Sequence, residues 1–402
     1  MPTTNQGGAI GERIPRDAAD DYSEAIVARR RQWLEQRTNA KLDALVGGQA
    51  AAHVFRGNIE NLIGTVQFPI GIAGPYTIHG QNVDGEVFIP MATTEGALVA
   101  SYGRGMKAIS ASGGARTRLV SAELTAGVTF VFASQLDAHG FIAWLGRSTE
   151  TLRTCAEATT RHGKLLRVEP RAVGRRVFAN FVYDTADALG INMATVATAA
   201  ATDWIMRHAD PMPLECNLPG GMQGEKWANA LDFLHGRGRS VVAEATISQT
   251  VLSEQLRVEA QDMHEAWLSM ALAKMHAGGL GASFHAANGV AALMLATGQD
   301  AAYLTALTAT AVMEARPNGD LHISIDIPTL GVGTIGGGTG LPPFRACLEL
   351  MDCHGVGKAN RLAEIMAAVC IAGELSTVAA IVSGEFVAAH ERLGRNRPGT
   401  PA

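Results

Sequence analysis

The sequence predicts an α+β fold: a large helix-and-sheet domain with a small ferredoxin-like α+β unit inserted into it. Three observations lead there. Between 128 and 208 the residues read as strand, helix, strand, strand, helix, the split βαβ pattern. The run is flanked by glycine-bearing breaks, Gly113-Gly114 and Pro219-Gly-Gly221, which read as junctions. Ala- and Gly-rich apolar segments lie on both sides, as expected of closely packed core helices. The boundaries drawn from this are an N-terminal helical segment over 1–55, large-domain parts over 56–127 and 217–402, and the inserted unit over 128–216.

Element by element, residues 17–45 are charged and amphipathic and read as a helix that packs at the N-terminus. Residues 58–89 are rich in β-branched residues, Gly and Pro, giving short strands and turns. Residues 93–109 form a small-residue helix. The apolar run 128–134 is a strand, followed by a helix at 137–162, strands at 164–170 and 175–184, and a helix at 189–208. Beyond the second junction come a strand at 240–248, helices at 250–276 and 284–315, a strand at 321–332, a glycine loop, and a helical third over 342–392. No internal repeat is visible.

Composition narrows the function. The 402 residues are 47% hydrophobic, enough for a large core, and carry a net charge of −5 with 18% charged residues. That leaves no electrostatic footprint for nucleic acid. The five cysteines show no CxxC spacing, so free thiols in a reducing compartment are expected and no metal site is. The N-terminus lacks a charged region followed by an apolar core. The longest apolar run, 365–382, is broken by Glu374, which suits a buried helix better than a span. The chain is therefore read as soluble and cytoplasmic, with no membrane partner.

Four polar residues stand in otherwise small or apolar surroundings: Glu95, Lys226, Asp300 and His390. Two acids, a cation and an imidazole can polarise a carbonyl, hold an oxyanion and pass a proton. Taken singly, each has a plainer reading. Lys226 could be a solvated lysine, and His390 a partner for a helix dipole near a basic C-terminus. Gly336, Gly337 and Gly338 could receive a phosphate or a flat ring on exposed amides, or be a simple turn. The loop is not the GxGxxG of a Rossmann unit. Asp187 could cap the helix that follows it or stand near a nicotinamide.

Several blocks together resemble the 3-hydroxy-3-methylglutaryl-CoA reductase family. They are Glu60-Asn-Leu-Ile-Gly64, Pro69-Ile-Gly-Ile-Ala-Gly-Pro75, Ala92-Thr-Thr-Glu95, Asp187-Ala-Leu-Gly-Ile-Asn-Met193, His285-Ala-Ala-Asn288, Gly298-Gln-Asp300 and the loop Val332–Thr339. They occur in the family's order over roughly 55–397. The resemblance implies a thioester reductase that uses NADPH twice, passing through a hemithioacetal and an aldehyde to an alcohol. It gives Lys226 the reacting oxygen, Glu95 the proton, Asp300 the coupling of the two, and His390 the departing thiolate. It sets Asp187, Gly190, Asn192, Met193, Gly336, Gly337, Gly338 and Arg395 around the dinucleotide. Arg104, Lys107, His285 and Asn288 fall to the substrate by the same resemblance, and Trp227, a departure from it, is added to them as apolar surface beside Lys226. It also implies a homodimer or higher oligomer with the active site at the interface.

The departures from the family concentrate on the distal carboxylate of the acyl group. Trp227 stands where the family has a second lysine, and Glu225 where it has an aspartate. A carboxylate-binding arginine position is matched to Val131 or a neighbour, and the segment from Lys274 to His285 is shorter. Each charge-assisted bond is worth about 1.5–3 kcal/mol, so the expectation is a less acidic acyl thioester on CoA or a carrier protein. The alternatives are a true hydroxymethylglutaryl-CoA reductase making mevalonate, with Arg171 or Arg175 as the clamp, and a non-catalytic nucleotide-binding homologue.

Overall fold

The computed structural model describes residues 14–38, 41–42, 51–222, 224–389 and 391. Helix α1 (Glu24–Thr38) is anchored by a fully buried Arg30. Its guanidinium pairs with Asp21 and donates to the carbonyls of Pro15, Asp21 and Leu62, which is what makes its burial tolerable. The hairpin of β1 (Ile70–His79) and β2 (Asp84–Ala92) follows. Helix α2 (Leu98–Ala111) starts later than the sequence pattern suggests, because Ala97 is left-handed at φ 71°. Thr93 to Gly96 are thereby left as a loop.

Strand β3 (Ala115–Val131) is much longer than the strand read at 128–134. Its first half alternates polar and apolar residues without a strong apolar run, so the sequence hides it. From it the chain passes into α3 (Gln135–Glu157), whose start is fixed by a reciprocal cap between Ser134 and Asp137. Then come β4 (Lys164–Val173), β5 (Arg176–Asp184), α4 (Ile191–His208) and β6 (Glu215–Asn217). Residues 124–131 of β3 pair with β5, and its last three pair with β6. This gives an antiparallel arrangement β4-β5-β3-β6 with its own apolar core.

The remaining elements return to the larger core. They are α5 (Ala230–His235), β7 (Gly238–Ile247), the short α6 (Gln249–Val251), α7 (Ala260–His276) and α8 (Ala286–Thr297). After them come β8 (Thr310–Ala315), β9 (Leu321–Leu330), α9 (Pro342–Leu350), α10 (Ala359–Val382) and α11 (Glu385–Ala389). Two long helices expected from periodicity are broken. A π-helical turn and Arg257 at φ 57° interrupt 250–276. The segment 284–315 holds α8, a 3-10 turn over Ala301–Ala306 and strand β8. Gly298 at φ 66° ends α8, and the Thr/Ala alternation after 308 then fits a sheet edge.

The larger sheet runs β2-β1-β3-β7-β9-β8, so β3 belongs to both sheets. Helix α10 crosses it. This helix is long and apolar enough to span a membrane by composition, yet nearly all of it is buried in the protein. Two carboxylates lie on it with no solvent, Glu364 and Glu374. Glu364 accepts from Asn82 N at 2.9 Å, Asn82 Nδ2 at 2.8 Å, Leu119 N at 3.2 Å and Thr117 Oγ1 at 3.3 Å. It thereby ties the helix to β3 and to the β1–β2 turn.

Replacing Glu364 by Ala strands these donors in a dry core. Unfolding in urea should show a loss of about 2–4 kcal/mol, and Gln should recover part of it. A change below about 0.5 kcal/mol in the Ala variant would contradict the anchoring role.

Candidate active site

Lys226 lies in the loop between β6 and α5, and the first turn of α5 shapes that loop. Asn229 caps the helix by accepting from Asp232 N at 2.9 Å. The Asp232 carboxylate accepts from Gly224 N and from Asn229 Nδ2, both at 2.8 Å. A side chain at 224 would meet Asn229 Nδ2 at 1.9 Å, so only glycine lets the loop close this tightly. Lys226 Nζ is thereby brought to 3.0 Å from Asp300 Oδ2.

The 3-10 turn after Asp300 holds this lysine from several sides. The other Asp300 oxygen accepts from Ala302 N at 3.0 Å, which fixes the carboxylate. Thr305 Oγ1 donates to the Lys226 carbonyl at 2.7 Å. The ring of Tyr303 lies 5.6 Å from Nζ, and the guanidinium of Arg237 lies 5.8 Å from the same ring. Both side chains of the ion pair are 45% exposed, so the pair adds little to stability. What it does is fix where the ammonium stands.

A second pair forms where Asn288 Nδ2 donates to Glu95 Oε2 at 3.1 Å. Glu95 stands on the loop ahead of α2, and Asn288 in the first turn of α8. Among the described residues no hydrogen bond or ion pair joins this pair to Lys226 and Asp300. The start of α8 is secured by Glu374 of α10. Its carboxylate accepts from Ser283 Oγ at 2.9 Å and from the amides of Phe284, His285 and Ala286 at 2.8–3.1 Å. Burial raises the Glu374 carboxyl above its usual range, and these donors act against that rise.

His285 sits at the same turn. Its carbonyl accepts from Tyr102 Oη at 2.6 Å, and the two rings are 4.9 Å apart. Nε2 is buried without a hydrogen-bond partner among the described residues. Burial lowers the imidazole to about 4, so near neutral pH this ring is uncharged.

The two loops read as dinucleotide contacts lie against each other. Thr334 N donates to Asp187 O at 2.8 Å, and Ala188 bridges to Ile335. The Asp187 carboxylate accepts from Gly357 N at 2.7 Å and Ala359 N at 3.1 Å. It therefore caps α10 rather than the helix that follows it. That helix, α4, starts at Gly190 with φ 86° and no side-chain cap, leaving its first amides unsatisfied by side chains. Asn192 is exposed, and Met193 packs toward Gly163 and the smaller core. Gly336 and Gly337 take φ 80° and 56°, with open space where a Cβ would stand, whereas Gly338 presses on Gly298. Gln299, next to Asp300, exchanges two hydrogen bonds of 2.9 Å with the backbone of Gly333.

Other expected residues are placed differently. Arg104 is engaged with Ser376 and, at 3.5 Å, with Glu385. Lys107 is exposed. Trp227 is 56% exposed beside the lysine. Val131 is buried, so it lines no open site. Arg175 donates to Phe132 O at 3.0 Å. Arg171 opens onto a groove of about 380 Å³ shared with Met222 and His235. His390 and Arg395 lie outside the described residues. Sequence reasoning missed Gln299, Tyr303, Arg237 and the positioning part of Glu374. For Glu374 the signal was its isolation in an apolar run.

The comparisons with known proteins agree on one family. The family model described as hydroxymethylglutaryl-coenzyme A reductase matches residues 26–395. Curated relatives called 3-hydroxy-3-methylglutaryl-coenzyme A reductase include that of Methanothermobacter thermautotrophicus, 36% identical and covering 96% of both chains. The one from Halobacterium salinarum is 42% identical over 84% of both chains. Among solved structures, the class II 3-hydroxy-3-methylglutaryl-CoA reductase of Streptococcus pneumoniae, described as bound to NADPH in open conformations, superimposes with a TM-score of 0.66. It is 19% identical and the match covers 88% of this chain and 96% of that one, a likeness of fold.

The imidazole of His285 gives a pH prediction. Its folded value, about 4, is below the roughly 6.5 of a free histidine. Between those values the unfolded chain binds a proton that the folded one does not, so through this group stability falls as pH falls across that window. An NMR titration should find the His285 ring signal unmoved from pH 8 down to about 5.5. A midpoint near 6.5 would contradict it.

Proposed function

The chain belongs to the hydroxymethylglutaryl-coenzyme A reductase family, and from that premise we propose that it reduces 3-hydroxy-3-methylglutaryl-CoA to mevalonate and free CoA with two equivalents of NADPH. The observation that carries the proposal is the Lys226 ammonium held 3.0 Å from a carboxylate that is itself fixed by a helical cap. In a thioester reduction the carbonyl oxygen becomes an alkoxide, and a fixed cation at that oxygen is the largest single aid a protein can give.

When bound, a nicotinamide would supply the hydride for each of the two reductions. The chain's own residues handle charge and protons. Lys226 holds the oxygen that turns anionic, first in the hemithioacetal and then in the alcohol. Asp300 keeps the ammonium pointed at it. Glu95, oriented by Asn288 at 3.1 Å, gives a proton to the alkoxide. Between the two reductions the C–S bond breaks, the aldehyde forms, and His390 protonates the departing thiolate.

The residues present fit a dinucleotide. The outer face of Gly336 and Gly337 is open, and the start of α4 offers amides with no side-chain cap, which suits an anionic or flat group. Arg395 is assigned the 2′-phosphate. Assembly as at least a dimer, with the site shared between subunits, is part of the same reading. Phe68, Ile70, Ile72 and Phe88 around the β1–β2 hairpin are exposed, and such an apolar face suits burial against a second copy.

For the acyl group, relatives at 36–42% identity named for the hydroxymethylglutaryl substrate support the dicarboxylic thioester over the less acidic one expected from the sequence. Arg171, in its groove beside Met222, is the candidate clamp for the distal carboxylate, in preference to Arg175. A second reading, a neutral acyl thioester, is favoured by one observation: Trp227 stands 56% exposed next to the lysine.

Two experiments test these readings. Lys226→Ala and Asp300→Ala should each lower NADPH oxidation by at least a hundredfold, since losing an oxyanion partner costs roughly 3–4 kcal/mol. Either variant keeping more than about a tenth of the wild-type rate would remove that residue from the mechanism. On the acyl group, wild type should turn over hydroxymethylglutaryl-CoA faster than a neutral acyl-CoA, and Trp227→Lys should change its KM by less than about threefold. The reverse preference, with a gain of roughly tenfold in Trp227→Lys, would establish the neutral substrate instead.

A further inference from the structure

An aromatic that no resemblance assigns stands with its ring centroid 5.6 Å from the candidate cation. We infer that Tyr303 is the positioning residue for Lys226: its ring is the platform that keeps the ammonium at Asp300 and turned toward the reacting oxygen. The inference rests on the reading of Lys226 as the cation of the reductase reaction.

Local geometry places the ring there. Asp300 is the N-cap of the 3-10 turn and Tyr303 lies within it, three residues on. Tyr303 N donates to Asp300 O at 3.0 Å, locking that relation. The ring is only 3% exposed. Gly331 lies against it, since a Cβ there would come within 2.7 Å of Tyr303 Cδ1. On its other contacts Arg237, held by Thr125 Oγ1 at 3.1 Å, presents a second cation 5.8 Å from the ring centroid. The phenol oxygen stands 3.5 Å from Glu225 Oε1, at the limit of a hydrogen bond. A ring gripped on so many sides is a fixed surface for the flexible lysine stem.

The chemistry explains why an aromatic suits this place. An ammonium within about 6 Å of a ring centroid is drawn to the π face. Unlike a second carboxylate, the ring holds the cation without neutralising it, so the charge is kept for the alkoxide. Lysine is otherwise a mobile point charge on four methylenes. Thr305 fixes its backbone, Asp300 fixes one N–H, and Tyr303 limits where the head can go.

The test compares Tyr303→Phe and Tyr303→Leu in the full chain. Phe keeps the ring and should keep kcat within about twofold. Leu should lower kcat by between about twofold and thirtyfold, the range of a lost cation–π contact, with KM for NADPH unchanged. A second readout does not need activity. After reductive methylation with ¹³C-formaldehyde, the Lys226 resonance, assigned by its loss in Lys226→Arg, should move in the Leu variant and stay in the Phe variant. A Leu variant with wild-type kcat and an unmoved resonance overturns the inference. So does a Phe variant as impaired as Leu, which would assign the role to the phenol and Glu225. A wild-type protein that reduces no thioester would overturn the functional reading, while the lysine resonance would still decide the part played by Tyr303.

Discussion

The structure depends on the burial of α10 together with its two carboxylates. A helix this apolar is driven into the core by its own surface, but it takes Glu364 and Glu374 with it, and a buried charge without partners is among the costliest features a fold can hold. Each acid therefore dictates its surroundings. Glu364 gathers the β1–β2 turn and β3, while Glu374 gathers the three amides that begin α8. Close approach is needed as well: a Cβ at Gly105 of α2 would come within 1.9 Å of the Ala372 carbonyl. The same helix thus orders the sheet at one end and the Asn288 side of the candidate site at the other.

At its N-terminus α10 is capped by Asp187, a residue of the loop leading into α4. The smaller sheet is consequently joined to the larger one through the shared strand β3, through this cap, and through the contacts of Asp187 and Ala188 with Thr334 and Ile335. Within the larger part, Gln299 joins the Asp300 turn to the glycine loop at Gly333. The lysine pair and the two candidate dinucleotide loops are therefore mechanically connected through short backbone contacts. A displacement of the smaller unit would be felt at Asp187 and Gly333 before it reached Asp300.

Much of this was legible in the chain and some was not, for physical reasons. The strand and helix order of the smaller unit shows because β5 and the end of β3 are largely apolar runs. The first half of β3 does not, because its outward residues are charged and its pattern is diluted. Strand β8 is hidden by alanines that suit a helix equally well, and only Gly298 marks the break. Among the site residues, Lys226 and Asp300 stand out as charges in apolar surroundings, and the fold brings them into contact. Tyr303 and Arg237 carry no such signal, since an aromatic and an arginine look ordinary until a 3-10 turn and a loop set them side by side. Asp187 reads from sequence as the cap of the next helix, and only tertiary structure reveals which helix it caps.

The exposure of the Lys226–Asp300 pair has a further consequence. At 4 Å, opposite unit charges attract by about 1 kcal/mol in water and about 4 kcal/mol at an effective dielectric of 20. A cation that is 45% exposed therefore gives an alkoxide only a fraction of what the same cation gives in a covered site. Stabilising the oxyanion requires that water be displaced from around the lysine when the substrate is in place. The next residue in the chain, Trp227, offers apolar surface that is 56% exposed and so open to an incoming substrate. Covering this tryptophan and the lysine together when a substrate docks would take water from around the cation whichever acyl group the chain accepts.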